Sequence, residues 1–213
     1  MGREVGDTKQ RPLGPRALRT RERLLRATAE LLADRGFRGL SVVEIARRAE
    51  TSPATFYQYF GDALDATLEL AEEAATDLTP LLERLEGPFV GDAGLERARS
   101  FVAAFLGLWE EHRAVWRVRN HSAEEGEPRF RRLRRKALRP LLDRLAGAVT
   151  ASSDAPGDGT HPYAAAAALA TILESLGAYG PELERFGVDR AALVETGARI
   201  LVDAVAVQDG RVS

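Results

Sequence analysis

Residues 41–60 read SVVEIARRAETSPATFYQYF, and this stretch decides the fold. Ser41 and Glu44 stand at the spacing of a capping box, in which the serine oxygen accepts a backbone N–H and the glutamate reaches back to the cap. A short helix to about Ala49 follows. Glu50, Thr51 and Ser52 interrupt it. Ser52 then caps a second short helix with Pro53 at its first position, where a missing N–H is no loss. Helical period puts Ile45, Ala46, Ala49, Phe56 and Phe60 inward and leaves Ala54, Thr55, Tyr57, Gln58 and Tyr59 outward. Two short helices around a three-residue break form a helix-turn-helix. The second, about two turns long and ended by Gly61, is marginal alone in water, so longer flanking helices must hold it. An ordinary helical hairpin would share this pattern. It would leave unexplained an outward cluster of two Tyr, a Thr and a Gln, flanked by Arg47, Arg48 and the arginines of 16–26. Those residue types suit phosphates and base edges.

The flanks are helical too. Hydrophobic residues make up 45% of the chain and aromatic ones only 7%, with Ala and Leu dominant, and no segment alternates as a strand would. Residues 1–15 read as a flexible arm. A helix is expected from Arg16 to Arg35, with Leu24, Leu25, Thr28, Leu31 and Leu32 on one face; it stops at Gly36, after which Phe37 and Leu40 re-enter the core. Asp62 caps a helix expected from Ala63 to about Leu85, ahead of Gly87 and Pro88. Further helices are expected over 94–111, 113–124 and 129–149, the last kinked at Pro140. Residues 151–162 (ASSDAPGDGTHP) form a linker before two helices over 163–179 and 189–208. The chain is therefore all-α, with about nine helices: an arm at 1–15, a three-helix helix-turn-helix domain at 16–62, and a larger body at 63–213.

Net charge is −2, yet residues 1–60 hold 12 Lys and Arg against 7 Asp and Glu, while residues 61–213 hold 18 against 25. A basic end on an acidic body suits a protein that presents one end to phosphates. No Cys is present, and His112, His121 and His161 lack the spacing of a zinc pair, so neither a disulfide nor a metal site is expected. Met1 to Pro15 contains no apolar core of a secretory signal, and no apolar run reaches the roughly 18 residues of a membrane span. A cytoplasmic prokaryotic protein without membrane partners is expected, at the nucleoid when on DNA. No paired carboxylates in an apolar stretch, nucleophile elbow or Gly-rich phosphate loop suggests an enzyme, and no cofactor is expected.

The segments Arg23–Phe37, Leu40–Ala46 and Ser52–Phe60 closely resemble the DNA-binding domain of TetR/AcrR-family repressors, over about residues 17–68. The Thr-Phe-Tyr-x-Tyr-Phe core at 55–60 is the most specific part. The resemblance implies that Thr55, Tyr57 and Tyr59 meet DNA, Tyr57 at a phosphate, with Ala54 and Gln58 at specificity positions. It implies that Ser41 caps a helix whose amides face the backbone; Arg47 and Ser52 complete the expected DNA-binding set. Three residues depart from the family pattern. Glu50 stands where the turn usually has Gly, Thr51 where it usually has an apolar residue, and Ala63 where a phosphate-binding Lys is common.

Beyond residue 68 the resemblance is architectural and implies a ligand-binding and dimerisation body. Phe101, Phe105, Leu108, Trp109, Val115 and Trp116 concentrate bulky apolar residues in the middle helices. They read either as plain core or as the lining of an apolar cavity, with Arg119, Asn120, His121 and Tyr163 as the candidates for polar contacts. The run Arg129, Arg131, Arg132, Arg134, Arg135, Lys136, Arg139 could neutralise a phosphorylated ligand such as an acyl-CoA; the plainer reading is a solvated face pairing with Glu124, Glu125 and Glu127. Small and aliphatic residues in register over 163–208 suit a four-helix interface across a twofold axis. The expected function is a ligand-responsive repressor that binds a palindromic operator in double-stranded DNA as a homodimer and is released by a small, largely apolar effector. A transcriptional activator of the same fold, or an all-α apolar-ligand carrier that does not bind DNA, are the competing readings.

Overall fold

The structure is a computed structural model that describes residues 14–152 and 161–205. Residues 1–13 of the expected arm, most of the expected 151–162 linker and the end of the last helix lie outside the described residues, and Pro15, expected in the arm, already belongs to the first helix. Eight α-helices and two 3-10 segments make up all the regular structure among the described residues: α1 Pro15–Arg35, a 3-10 turn Phe37–Gly39, α2 Val42–Arg48, α3 Pro53–Phe56, α4 Ala63–Thr76, a 3-10 segment Thr79–Leu85, α5 Gly91–Glu124, α6 Pro128–Ser152, α7 Pro162–Glu184 and α8 Arg190–Val205. The chain divides into two compact units, Met1–Thr67 and Leu68–Ser213. It passes from one to the other within α4.

In the first unit, α1 starts with Pro15 at its first turn and buries one stripe of Leu24, Leu25, Ala27, Thr28, Leu31 and Leu32. Gly36, at φ 67°, ends the helix, and its N–H bonds to the Leu32 carbonyl. A non-glycine residue would be strained there. Phe37 does not re-enter the core as expected. The three-residue 3-10 turn leaves its ring exposed, and Leu40 is half-buried. Arg48 of α2 reaches back to Glu30 (2.9 Å) and Asp34 (3.2 Å) of α1.

In the second unit three boundaries differ from expectation, two of them for a local reason. The helix expected to run to Leu85 stops at Thr76 and continues as a 3-10 segment. Pro80 has no N–H to give, and its ring would clash with the carbonyl four residues back, which belongs to Thr76. The break expected near His112 is absent, and α5 runs 34 residues, about 50 Å. Neither Gly nor Pro occurs between Glu110 and Ala114 to end it. The helix expected to stop at Tyr179 takes Pro181 into its last turn and ends at Glu184. Pro140 also sits inside an unbroken α6.

α5 is the central element, packed by α6, α7 and α8. Phe101, Val102, Phe105 and Trp109 of α5 form the middle of the core with Phe130 and Leu141 of α6, Leu173 of α7 and Leu201 of α8, all buried. α7 approaches α5 closely at Gly177, where an added Cβ would lie 2.3 Å from the Trp109 ring. Arg99 of α5 grips both carboxylate oxygens of Glu195 on α8, at 2.6 and 3.1 Å. No helix among the described residues is long and apolar enough to cross a membrane.

Candidate functional site

The turn of the helix-turn-helix is built by backbone hydrogen bonds. Beyond the α2 C-cap, Glu50 N–H bonds to the Arg47 carbonyl (3.1 Å) and Thr51 N–H to the Ala46 carbonyl (2.9 Å). This is the Schellman pairing, which needs a left-handed residue between cap and exit. Glu50 fills that place at φ 53°, alone among the described non-glycine residues in having a positive φ. Ser52 then accepts the Thr55 N–H at 3.1 Å and starts α3.

α3 is shorter than expected. Regular α-helix covers Pro53–Phe56, and Gln58 and Tyr59 continue it through bonds to the carbonyls three residues back. Phe56 and Phe60 are buried with ring centroids 5.4 Å apart, and Arg21 of α1 lies over the Phe60 ring at 5.5 Å. These anchors turn Ala54, Tyr57 and Gln58 fully outward, Tyr57 at 60% exposure, while Thr55 and Tyr59 are half-buried at the margin.

Ser41 caps α2 by accepting the Glu44 N–H at 3.2 Å. The second half of the expected capping box is replaced by ion pairs: the Glu44 carboxylate goes to Arg47 (2.7 Å) and Arg35 (3.3 Å). The Arg47 hydrogen bond, with Arg35 behind it, holds the Glu44 carboxyl below its ordinary pKa. Arg47 is exposed but already paired. Val43 is also exposed beside Ser41 and was missed in the candidate set. Its signal was present, since the inward positions Ile45, Ala46 and Ala49 leave 43 on the outer face. The basic residues of α1 gather as well, with Arg16, Arg19, Arg23 and Arg26 lining an open concavity along that helix.

At the start of α4, Asp62 accepts the Asp65 N–H (2.6 Å) and the Asp65 carboxylate accepts the Gly61 N–H (3.0 Å). Two carboxylates therefore occupy backbone amides at this helix start, beside Ala63.

The ligand-binding candidates all lie on α5, in the second unit. Phe101, Phe105, Leu108, Trp109, Val115, Trp116 and Arg119 are buried, and Asn120 is half-buried. Rings touch in series: Phe101 and Phe105 at 5.9 Å, Phe105 and Trp116 at 6.5 Å, Trp116 and Trp109 edge-on at 5.1 Å. Arg119 is 2% exposed, lies 5.0 Å over the Trp116 ring, and bonds Asn120 (2.9 Å) and Glu174 of α7 (2.7 Å). Arg134 of α6 takes the other Glu174 oxygen, at 2.7 Å. Burial pushes the Arg119 pKa down, Glu174 opposes that, and Arg134 adds to it. Sequence reasoning missed Glu174 and the inward role of Arg134. A lone Glu in the apolar run AAAAALATILESLG was the available sign.

The α6 arginines do not form the expected uniform face. Arg129 pairs with Glu127 (2.9 Å) as expected, but Arg131 bonds the Ala123 carbonyl (3.0 Å), Arg139 pairs with Asp143 (3.0 Å), and Arg134 turns inward. No group of three or more His, Cys, Asp or Glu arranged to hold a metal occurs among the described residues.

The family model described as bacterial regulatory proteins, tetR family, matches residues 24–62, and that described as tetracyclin repressor-like, C-terminal domain, matches residues 82–208. A curated relative, an uncharacterised HTH-type transcriptional regulator of Haemophilus influenzae, is 27% identical over 117 residues, 55% of this chain and 56% of that protein. The chain thus spans little more than half of that relative's length. Among solved structures, the fatty acid degradation regulator FadR from Bacillus halodurans superposes with a TM-score of 0.64 at 16% identity, over 90% of this chain and 97% of that one. FadR from Bacillus subtilis in complex with stearoyl-CoA gives 0.61 at 18% identity, over 86% and 97%. A TetR-like regulator from Rhodococcus gives 0.65 at 22% identity, over 89% and 96%. At these identities the structures show a shared fold.

Proposed function

The chain belongs to the tetR family of bacterial regulatory proteins, and from that premise we propose that it binds a palindromic operator as a homodimer and is released by a small, largely apolar effector. The observation that carries the DNA half is the outward set Ala54, Tyr57 and Gln58 on α3, held in place by buried Phe56 and Phe60. In this reading Tyr57 meets a phosphate, Gln58 and Ala54 read base edges, and Thr55 and Tyr59 close the edge of the contact. Ser41 and Ser52 fix the two short helices. The α1 arginines supply charge that the acidic start of α4 does not.

The effector half rests on the dense aromatic interior around α5, with the buried Arg119 among its rings. A ligand acts as a switch only if it binds two states of the body unequally. α4 is the segment of chain that both units share, and the route such a bias would take. The bound stearoyl-CoA of the Bacillus subtilis relative suggests acyl compounds among those to try. Release from DNA on effector binding makes the protein a repressor.

Fluorescence anisotropy with DNA from upstream of the protein's own gene tests the recognition surface. Gln58→Ala should weaken operator binding by roughly 10- to 100-fold and leave scrambled DNA unchanged, the loss expected of a base contact. Tyr57→Phe should weaken both DNAs alike, as a phosphate contact would. Equal loss on both DNAs for Gln58→Ala, or no operator binding by the parent, would overturn the assignment.

A further inference from the structure

Among the described residues, the body of the second unit leaves several buried donors that no acceptor pairs. Arg119 on α5 and Arg134 on α6 each hold one oxygen of Glu174 on α7, so both oxygens already carry a charged donor. Two guanidinium charges against one carboxylate leave an excess of one positive charge. Among the described residues, three N–H groups nearby are buried with no hydrogen-bond partner: Trp109 Nε1, Trp116 Nε1 and Arg134 Nε. They belong to one chain of contacts. Trp116 lies beneath the Arg119 guanidinium, Trp109 meets Trp116 edge-on, and Trp109 abuts Gly177, one turn along α7 from Glu174.

Each of the three unpaired groups is a donor. Buried polar groups in folded proteins find partners, so an orphaned set of one kind marks what is missing. Here the missing component is an acceptor, and the charge balance adds that it is an anion. Water would supply the acceptor without the charge. The surroundings describe the rest of the molecule, for Phe101 and Phe105 extend the aromatic wall away from the arginines. Arg134, its side chain 35% exposed, gives the cluster a side open to solvent.

We propose that this cluster receives the carboxylate of an apolar organic acid, with the indole and guanidinium N–H groups on the carboxylate and the rings of α5 against the apolar part. The inference rests on the reading that the body binds a small effector, and it narrows the class of that effector. One carboxylate matches the single excess charge. A CoA thioester presents an uncharged carbonyl at its acyl end and several phosphate charges at the other.

Trp109 and Trp116 are the two tryptophans of the chain, so intrinsic emission reads this cluster directly. The full-length protein would be titrated with decanoate, benzoate, decanol and decanoyl-CoA, following emission and melting temperature. At least one acid should shift the emission and raise the melting temperature, with decanol at least tenfold weaker than decanoate. Arg134→Met should bind the acid ~10- to 100-fold more weakly, the range of a charge-assisted hydrogen bond, with decanol unaffected. Arg134 is the safer site because it is half-exposed. Arg119→Met is the second variant, with circular dichroism to verify folding. Equal binding of decanoate and decanol, no response to either acid at millimolar concentration, or a destabilised Arg134→Met with parental affinity would overturn the proposal. The two readings fail separately. Acid binding that leaves operator affinity unchanged removes the effector role and keeps the site, whereas release by decanoyl-CoA alone keeps the effector role and removes the carboxylate.

Discussion

Glu50 holds a left-handed backbone, φ 53°, without glycine's freedom to do so. For an L-residue the conformation costs ~1–2 kcal/mol, and glycine gives back about 0.5–1 kcal/mol of that through the greater entropy of its unfolded chain. Glu50→Gly should therefore stabilise the protein by about 0.5–1 kcal/mol. Glu50→Val, β-branched and still less suited to positive φ, should destabilise it. Urea denaturation of the three proteins checks the order, and a Gly variant no more stable than the parent would show that the Glu side chain repays its strain. The residue was marked in advance by the family resemblance, which puts a Gly at this place in the turn. The Glu44 carboxylate was harder to place. Its capping-box partner is near in sequence, but Arg35 and Arg47 compete for the same oxygens, and Arg35 reaches them only once α1 and α2 have packed.

Helices α5 and α7 meet where α7 offers no side chain. An added Cβ at Gly177 would sit 2.3 Å from Trp109 Cγ and 2.8 Å from its Cβ, atoms near the backbone that cannot swing aside. Gly177→Ala should destabilise by ~1–3 kcal/mol through overpacking. Gly147, in α6, has nothing within 4 Å of its added Cβ, and Gly147→Ala should stabilise by about 0.5–1 kcal/mol by removing a helix-interior glycine. Thermal melts of the two variants should move in opposite directions; a shift of the same sign in both would contradict the packing of α7 on α5. At this scale the sequence was legible at Gly36, which stops α1 as expected, but the stop ahead of Pro80 was passed over although its cause is local. It was less legible where tertiary packing decides. The inward turn of Arg134 out of a run of basic residues depends on Glu174, forty residues along the chain, and periodicity carries no mark of it. The same limit applies to α3. Its regular helix ends at Phe56, while Phe56 and Phe60 both hold their buried places.

Reading a palindrome requires two recognition units about 34 Å apart in successive major grooves, and one chain supplies one. The proposed partner is a second copy, joined through residues 163–208. The small and aliphatic residues that first suggest this interface serve another purpose in the fold. Leu169, Leu173, Leu193, Gly197 and Leu201 are buried within the chain, and a Cβ at Gly197 would meet Val102 at 3.1 Å and Leu176 at 3.3 Å. A bulky charge at Gly197 would break the protomer and say nothing about the dimer. The face free to pair is the opposite one. Ala164, Ala168, Thr171, Ser175 and Tyr179 follow one another along α7 at three- and four-residue steps, all exposed and none charged, with Tyr179 at 62% exposure. Small side chains let a second helix approach, and an outward tyrosine suits the core of an interface. Ser175→Arg, in the middle of this stripe, should leave the fold intact and give monomers by light scattering. Each monomer would make half the phosphate contacts, so the slope of log K against log salt for operator binding should fall to about half the parental value. Phosphate contacts carry no sequence information, so the salt slope on scrambled DNA should fall by a similar factor. A Ser175→Arg protein that remains dimeric with the parental salt slope would move the interface away from α7. A monomer that keeps the full slope would mean that two chains meet only on the DNA.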